Sequence, residues 1–444
     1  MSDAAEEVKF SLKVMVNKQK TKVLFAEADS DFADVLLSFL TLPLGTIVRI
    51  MYKHYGDKAP IIGSLTTLYN GLSNLDSVYF WTESGKQMLL NPRNSSETEC
   101  RKLKLNVDDT QPAKYFTCED WNCGYPRYSN IGMYYGTAIC ACGKTLKREI
   151  NVDEFFQADG NCDDGVFTIK TASFIICDDL RMAPNVAGSV METLDNLGIT
   201  DTLGAELMNV TFGFNEVMDL LKGSFLSWTP LTDIILNKGQ IDSAIPCHEP
   251  GISFDNIEKE SISDAKKMTL KVVVQKSTNK SLANINDDKY LKTKYIETML
   301  LKPKPPLGYV SKNQILPLTE EIAPFLYRCA GNFRDQDYLS TLDKRGSFGP
   351  QVSCVKSPKG EGNYVNGARM FMVTDDLTVT PLCMSSSLSI LNGLEIPLSD
   401  VKELKLHIGL EEALSILKAF LTSTSALTIG LINPLLKKEL KLEN

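Results

Sequence analysis

The feature that most constrains this chain is that it repeats itself. "SLKVMVNKQKTKVLFA" (11–26) matches "TLKVVVQKSTNKSLAN" (269–284), "YFWTESGKQMLLNPR" (79–93) matches "YLKTKYIETMLLKPK" (290–304), and "FIICDDLRMAP" (174–184) matches "FMVTDDLTVTP" (371–381). The blocks keep one order at offsets of 258, 211 and 197, so the second copy is shorter by 47 residues and then by 14 more. Ordered self-similarity is the mark of a unit built twice. We therefore expect an α+β chain of two tandem homologous modules, the first over 1–238, the second over 268–444, joined by a polar linker over 239–267. The linker is acidic and is punctuated by Pro246, Pro250 and Gly251, residues that interrupt regular structure.

Each module should open with a β-hairpin. Phe10, Leu12, Val14 and Val16 fall at every second position, then "NKQKTK" and "VLF" follow, which reads as strand, turn, strand. Phe32, Val35, Leu36, Phe39 and Leu40 recur at helical spacing, with Ser30 or Asp31 as a cap and Pro43 and Gly45 as a stop. This predicts an amphipathic core helix in a segment that the second copy lacks. Each module should close with a strand and a helix. The apolar face is Phe214, Val217, Leu220 and Leu221 in one, and Leu410, Ala413, Ile416 and Leu417 in the other.

The chemistry concentrates in a hairpin inserted in the first module, about 115–149. Cys118, Cys123, Cys140 and Cys142 follow a C-x4-C-x16-C-x-C pattern. Zinc favours four thiolates in a tetrahedron, and a structural site closes all four positions. Gly124 and Gly143 follow two of these cysteines, where a chain bending round a metal benefits from positive φ. The spacing is not the C-x2-C of most ribbons, so unrelated buried thiols and a redox pair stand beside structural zinc as readings. In the second copy Cys329 and Cys354 match Cys118 and Cys142, while Arg334 and Val352 stand where Cys123 and Cys140 would be. That copy should bind no zinc, and Cys329 and Cys354 should lie close together as free thiols.

Catalytic patterns are sparse. The histidines are His54, His248 and His407, and no H-E-x-x-H, G-x-S-x-G or G-x-G-x-x-G motif occurs. "CGKT" (142–145) resembles the end of a phosphate-binding loop, but Ala138 replaces the glycine that such a loop needs. The pairs Asp178/Asp179 and Asp375/Asp376 could bind a cation or act as acid and base. Each follows a strand and precedes a proline, so turn-building is the plainer role.

Of 444 residues, 43% are hydrophobic and 23% charged, and the net charge is −8. Such a chain can bury a sizeable core, and its acidity disfavours phosphate-rich partners and anionic membranes. No apolar run reaches the length of a membrane span. The start "MSDAAEEVKF" resembles neither a secretory nor a transit leader, so we expect a cytoplasmic or nucleocytoplasmic protein. The odd count of 11 cysteines then points to thiols or metal ligands. The sequons at Asn94, Asn209 and Asn279 carry no meaning there.

"KVLFAEADSDFADVLLSFLTLPLGT", "MLLNPRNSSETEC", "KYFTCEDWNC", "CACGKTLKREI" and "FIICDDLRMAP" resemble a plant-specific family of uncharacterised proteins, domain-of-unknown-function family 674. The resemblance spans nearly the whole chain. It implies a plant origin, a duplicated architecture and the four-cysteine pattern, and it implies no activity. Together these readings point to a non-catalytic, zinc-stabilised interaction or scaffold protein with an unidentified protein partner. One alternative is an enzyme with a site between modules built on the Asp pairs. Another is a zinc-ribbon nucleic-acid binder using Lys144, Lys147 and Arg148 beside Tyr125, Tyr128, Tyr134 and Tyr135.

Overall fold

The computed structural model describes residues 8–111, 114–120, 123, 131–132, 135–136, 138–140, 142–150, 165–185, 194–199 and 202–237, then 291, 294–306, 370–382, 408–434 and short stretches between them. The linker 239–267 and the second copy of the first repeat block, 269–284, lie outside the described residues.

In chain order the strands are β1 (Phe10–Val16), β2 (Val23–Asp29), β3 (Tyr115–Cys118), β4 (Ile131–Gly132), β5 (Leu146–Ile150), β6 (Ser173–Cys177), β7 (Met182–Pro184), β8 (Glu206–Phe212), β9 (Leu326–Cys329), β10 (Tyr338–Ser340), β11 (Phe348–Val352), β12 (Val355–Lys356), β13 (Phe371–Val373) and β14 (Val379–Pro381). The principal helices are α1 (Ser30–Ser38), α2 (Leu44–Tyr55), α3 (Gly63–Asn74), α4 (Glu83–Leu90), α5 (Glu97–Cys100), α6 (Phe214–Leu226), α7 (Pro230–Ile235), α8 (Lys294–Leu301) and α9 (Leu410–Thr422). The class is α+β. Contacts divide the chain into two compact units. One comprises 1–60, 93–110 and 160–304, the other 61–92, 111–159 and 305–444. Both units cut across the 1–238 and 268–444 division expected from the repeat.

The first unit is built on a five-stranded antiparallel sheet of order β7-β6-β2-β1-β8. Its first hairpin matches the expectation from alternation: Phe10, Leu12, Val14 and Val16 are buried while Ser11 and Lys13 are exposed. The Asn17 carboxamide oxygen closes the turn by accepting the N–H groups of Thr21 and Lys22 at 2.8 and 3.0 Å, an Asx-type local bond. Phe32 of α1 packs edge-on between Phe10 and Phe212, 5.5 Å from each.

The cap of α1 is Asp29, whose carboxylate accepts Phe32 N–H at 2.9 Å, and not Ser30 or Asp31. Such a cap contributes about 1 kcal/mol. The first helical run stops before Pro43 as expected, ending in a 3-10 turn at Phe39–Thr41 with Leu42 extended, but Pro43 also caps α2 and Gly45 lies inside that helix. Among the described residues no single helix is long and apolar enough to cross a membrane. The apolar pair Ser30–Thr41 and Leu44–Lys58 is bent by 118°, and α1 is buried along nearly its whole length. On α6 the buried face is Val217, Met218, Leu220 and Leu221, while Phe214, expected on it, is exposed.

In the second unit α9 packs on α3 and on a π-helical turn, Thr428–Ile432. Its fully buried residues are Leu414, Ala419 and Phe420, whereas the expected stripe of Leu410, Ala413, Ile416 and Leu417 is half-buried. The hairpin β13–β14 lies against α3, and two short sheets complete the unit, β10-β9-β11 and β12-β4-β3-β5.

Several repeat blocks take the same local form. Helices α4 and α8 occupy matching positions at offset 211. Hairpins β6–β7 and β13–β14 turn through the same three residues, Asp-Asp-Leu, with left-handed leucines at φ 62° (Leu180) and 63° (Leu377). Helices α6 and α9 each begin with a glycine cap whose N–H donates to a glutamate three residues on, Gly213 to Glu216 and Gly409 to Glu412.

Candidate metal centre

The four cysteines of the insert converge. Cys118 ends β3, which pairs antiparallel with β5 through Tyr115–Ile150, Phe116–Glu149 and Thr117–Arg148. Cys140 and Cys142 sit in the tight turn that leads into β5. Cys140 N–H donates to Lys144 C=O at 2.8 Å, and Gly143 N–H donates to Cys140 C=O at 2.9 Å. This is a three-residue hairpin loop whose last position is left-handed, and Gly143 fills it at φ +85°. Any residue with a Cβ would pay about 1 kcal/mol there. The turn answers why two cysteines flank one alanine: it carries both sulfurs to the same side. Cys123 is fixed from the other strand by its N–H to Asp120 C=O, 3.2 Å.

The sulfurs of Cys118 and Cys142 stand 3.5 Å apart, those of Cys123 and Cys140 3.8 Å, and all four lie within 4.8 Å of one another. A tetrahedral ion bound at about 2.3 Å holds its sulfurs about 3.8 Å apart; a disulfide would bring a pair to about 2.05 Å. The thiols are free and spaced as ligands. Among the described residues this is the one group of three or more metal-ligating side chains close enough to share an ion.

Burial and hydrogen bonding divide the four. Cys118, Cys123 and Cys140 are buried and Cys142 is half-buried. Burial pushes the Cys118 thiol up to about 12, although Asp120 N–H donates to its sulfur. The backbone N–H of Lys144 holds Cys142 down to about 7. The sulfurs of Cys118 and Cys142 thus each receive the amide two residues on, a charge-assisted bond that favours thiolate. The remaining packing is slight: Phe116, Ala138 and Leu146 are the other buried members of this cluster. The four cysteines are thus the larger part of this cluster, while Ile131 and Ile150 are buried elsewhere on the same small sheet.

A family model described as "Protein of unknown function (DUF674)" matches residues 6–285 and 279–409. The chain belongs to the DUF674 family. No curated protein and no solved structure matches it.

The other candidate residues of this DUF674 chain fall into structural bonds. The second aspartate of each pair builds its own turn: Asp179 accepts Arg181 N–H and Nε–H, and Asp376 accepts Thr378 N–H. The first reaches across the fold. Asp178 accepts the N–H and hydroxyl of Thr232 at 2.8 and 2.6 Å, and Asp375 those of Thr428 at 2.7 and 3.0 Å. Both threonines sit at or near the start of the helical turn after the amphipathic helix. Local turn chemistry could not reveal this clip. The shared "LT" at 231–232 and 427–428, one residue out of register with the Asp pairs, was the available signal.

Of the basic residues, Lys144 pairs with Asp120 at 2.9 Å and Lys147 with Glu119 at 3.5 Å. Tyr135 is exposed and meets Phe116 edge-on. Tyr125, Tyr128, Tyr134, His248 and His407 lie outside the described residues, as do Gly124, Arg334 and Cys354. Cys329 ends β9, opposite Tyr338 on one side and Phe348 on the other. Asn94, the first sequon, is fully buried and donates to Thr41 and Asp108.

Sequence reading missed Asp34, a carboxylate buried inside α1. It accepts the N–H groups of Val166, Phe167 and Thr168 and the Thr168 hydroxyl, at 2.6 to 3.1 Å. Burial still raises it to about 6.

Proposed function

We propose that this chain is a non-catalytic interaction protein, derived from a duplicated sequence unit and stabilised by one structural zinc on Cys118, Cys123, Cys140 and Cys142. The observation that carries the zinc is the closed set of four sulfurs at tetrahedral spacing, gathered in one small cluster with Phe116, Ala138 and Leu146. Thiolates select soft metals, and four protein ligands leave no position for a substrate or water. The duplication is supported by the matching α4 and α8, by the two Asp-Asp-Leu turns with their threonine clips, and by the paired glycine caps. The non-catalytic reading is supported by the same clips, since all four aspartates are engaged in hydrogen bonds that define the fold.

The test is elemental analysis of protein purified without chelators. One zinc per chain is expected, lost when the four cysteines are replaced. Absence of metal, or metal that persists in the replaced chain, rejects the site. Turnover that depends on Asp178 or Asp375 would reject the non-catalytic role.

A further inference from the structure

We propose that Cys142 is the site of first oxidation in this centre, and that its disulfide with Cys118 expels the metal. The inference rests on the metal reading above and assigns the site a regulation that bulk stability does not require. Three of the sulfurs are buried and Cys142 alone is half-buried, so an oxidant from solvent meets it first. It sits in the hairpin turn Cys140–Lys144, outside the regular strand ladder. Its sulfur stands 3.5 Å from that of Cys118, against 3.8 Å between Cys123 and Cys140. Closing an S–S bond of about 2.05 Å from 3.5 Å takes about 1.5 Å of movement, which a turn supplies more readily than a strand.

With a peroxide as oxidant the chemistry balances. The Cys142 thiolate sulfur attacks one peroxide oxygen: an S–O bond forms, the O–O bond breaks, and hydroxide leaves to become water on protonation. The Cys118 thiolate then attacks the Cys142 sulfur: the S–S bond forms, the S–O bond breaks, and a second hydroxide leaves. Two electrons pass from sulfur to peroxide, and two protons from solvent complete two waters. The metal departs in its original oxidation state, because two remaining thiolates cannot close a tetrahedral site. A thiol reductant reverses the step.

The experiment treats the full-length, metal-loaded chain with graded hydrogen peroxide. Metal release is followed with a chromogenic chelator, and disulfides are mapped by mass spectrometry after trapping the remaining thiols. Loss of one metal ion per chain, in step with a Cys118–Cys142 linked peptide and reversed by reductant plus zinc, is the expected result. A Cys123–Cys140 link forming first would overturn the proposal. So would retention of metal after all exposed thiols elsewhere have been oxidised. Because replacing Cys142 perturbs the site itself, a second measurement uses the unmodified sequence: a brief pulse of a maleimide should label Cys142 ahead of Cys118, Cys123 and Cys140. First labelling at any of those three contradicts the proposal. Both readouts are repeated on chelator-treated protein. There the sulfurs no longer need to react in that order; the metal content of the untreated protein is measured alongside, so a chain that holds no metal fails the metal reading, whereas a metal-holding chain that labels or links elsewhere first fails this one.

Discussion

Replacing Cys140 with serine isolates the contribution of the metal. Cys140 is buried, its sulfur 3.8 Å from that of Cys123, and it anchors the turn that presents Cys142. Structural zinc on thiolates contributes roughly 12 kcal/mol at neutral pH. Shared over four ligands, one lost sulfur costs about 3 kcal/mol, or about a hundredfold in affinity. The serine hydroxyl adds about 1 kcal/mol, since a polar group enters a space lined by Phe116, Ala138 and Leu146. Titration of zinc against a chromogenic chelator should show the affinity loss, and thermal unfolding with and without chelator should show that the wild-type chain loses more stability on chelation than Cys140→Ser does. Cys177→Ser, at a buried thiol of a different cluster, should leave metal affinity unchanged. Equal zinc affinity in wild type and Cys140→Ser, or a wild-type melting curve indifferent to chelator, would refute the argument.

Asp34 titrates near 6 in the folded chain and near 4 unfolded. Its stabilising contribution is therefore full below the unfolded value and is lost as pH rises through 6. Urea unfolding of wild type and Asp34→Asn should show the wild type gaining about 2 kcal/mol relative to the variant between about pH 7.5 and about pH 4.5; a pH-independent difference would count against a raised carboxyl. Asp178→Ala should cost about 2 kcal/mol and Asp375→Ala about half that, because the Asp178–Thr232 bonds are buried and the Asp375–Thr428 bonds are exposed; the reverse order in denaturant midpoints would be inconsistent with these environments. Gly430→Ala places a Cβ 2.6 Å from the Ile416 Cα, whereas at Gly56 (φ +58°) a Cβ meets nothing within 4 Å. The first should therefore cost about 2 kcal/mol or more from overpacking and the second only about 1 kcal/mol of backbone strain. Comparable melting temperatures for the two variants would show that α9 yields at Ile416.

What the sequence revealed and what it hid track the range of each interaction. Alternation from Phe10 to Val16 sufficed for the first strand because one face of that strand is solvated. The helical stripe at Phe32 placed α1 but misplaced its cap, since Asp29, Ser30 and Asp31 all have capping side chains and only the backbone decides which carbonyl leads. The rotated stripe on α9 has a different cause. That helix is packed on two sides, by α3 and by Thr428–Ile432, so a one-faced pattern underdescribes it.

The division into units was least legible of all. In the second unit α3, from the first half of the sequence, meets α9, from the second: Ser64 N–H and hydroxyl both donate to Ser423 C=O, at 2.9 and 2.8 Å. The Thr67 hydroxyl donates to Asp376 C=O. Strand β4 likewise takes β12 as a parallel neighbour, Ile131 beside Val355. Such pairings are set by which partner buries a given face, and no local spacing records them. The four cysteines are the opposite case. A tetrahedral site must gather four sulfurs within a few ångströms, and two short hairpin segments do so with contacts that are local in sequence, as the Cys140–Lys144 turn shows. The pattern was therefore legible despite its unusual spacing, because the second copy keeps one cysteine of each pair, Cys329 and Cys354. Packing alone accounts for Val352, which stays apolar, but not for Arg334, which puts a cation at the position matching the buried Cys123; losing one ligand from each pair is what the proposed shared ion predicts, because a tetrahedral site lacking one thiolate no longer constrains the others.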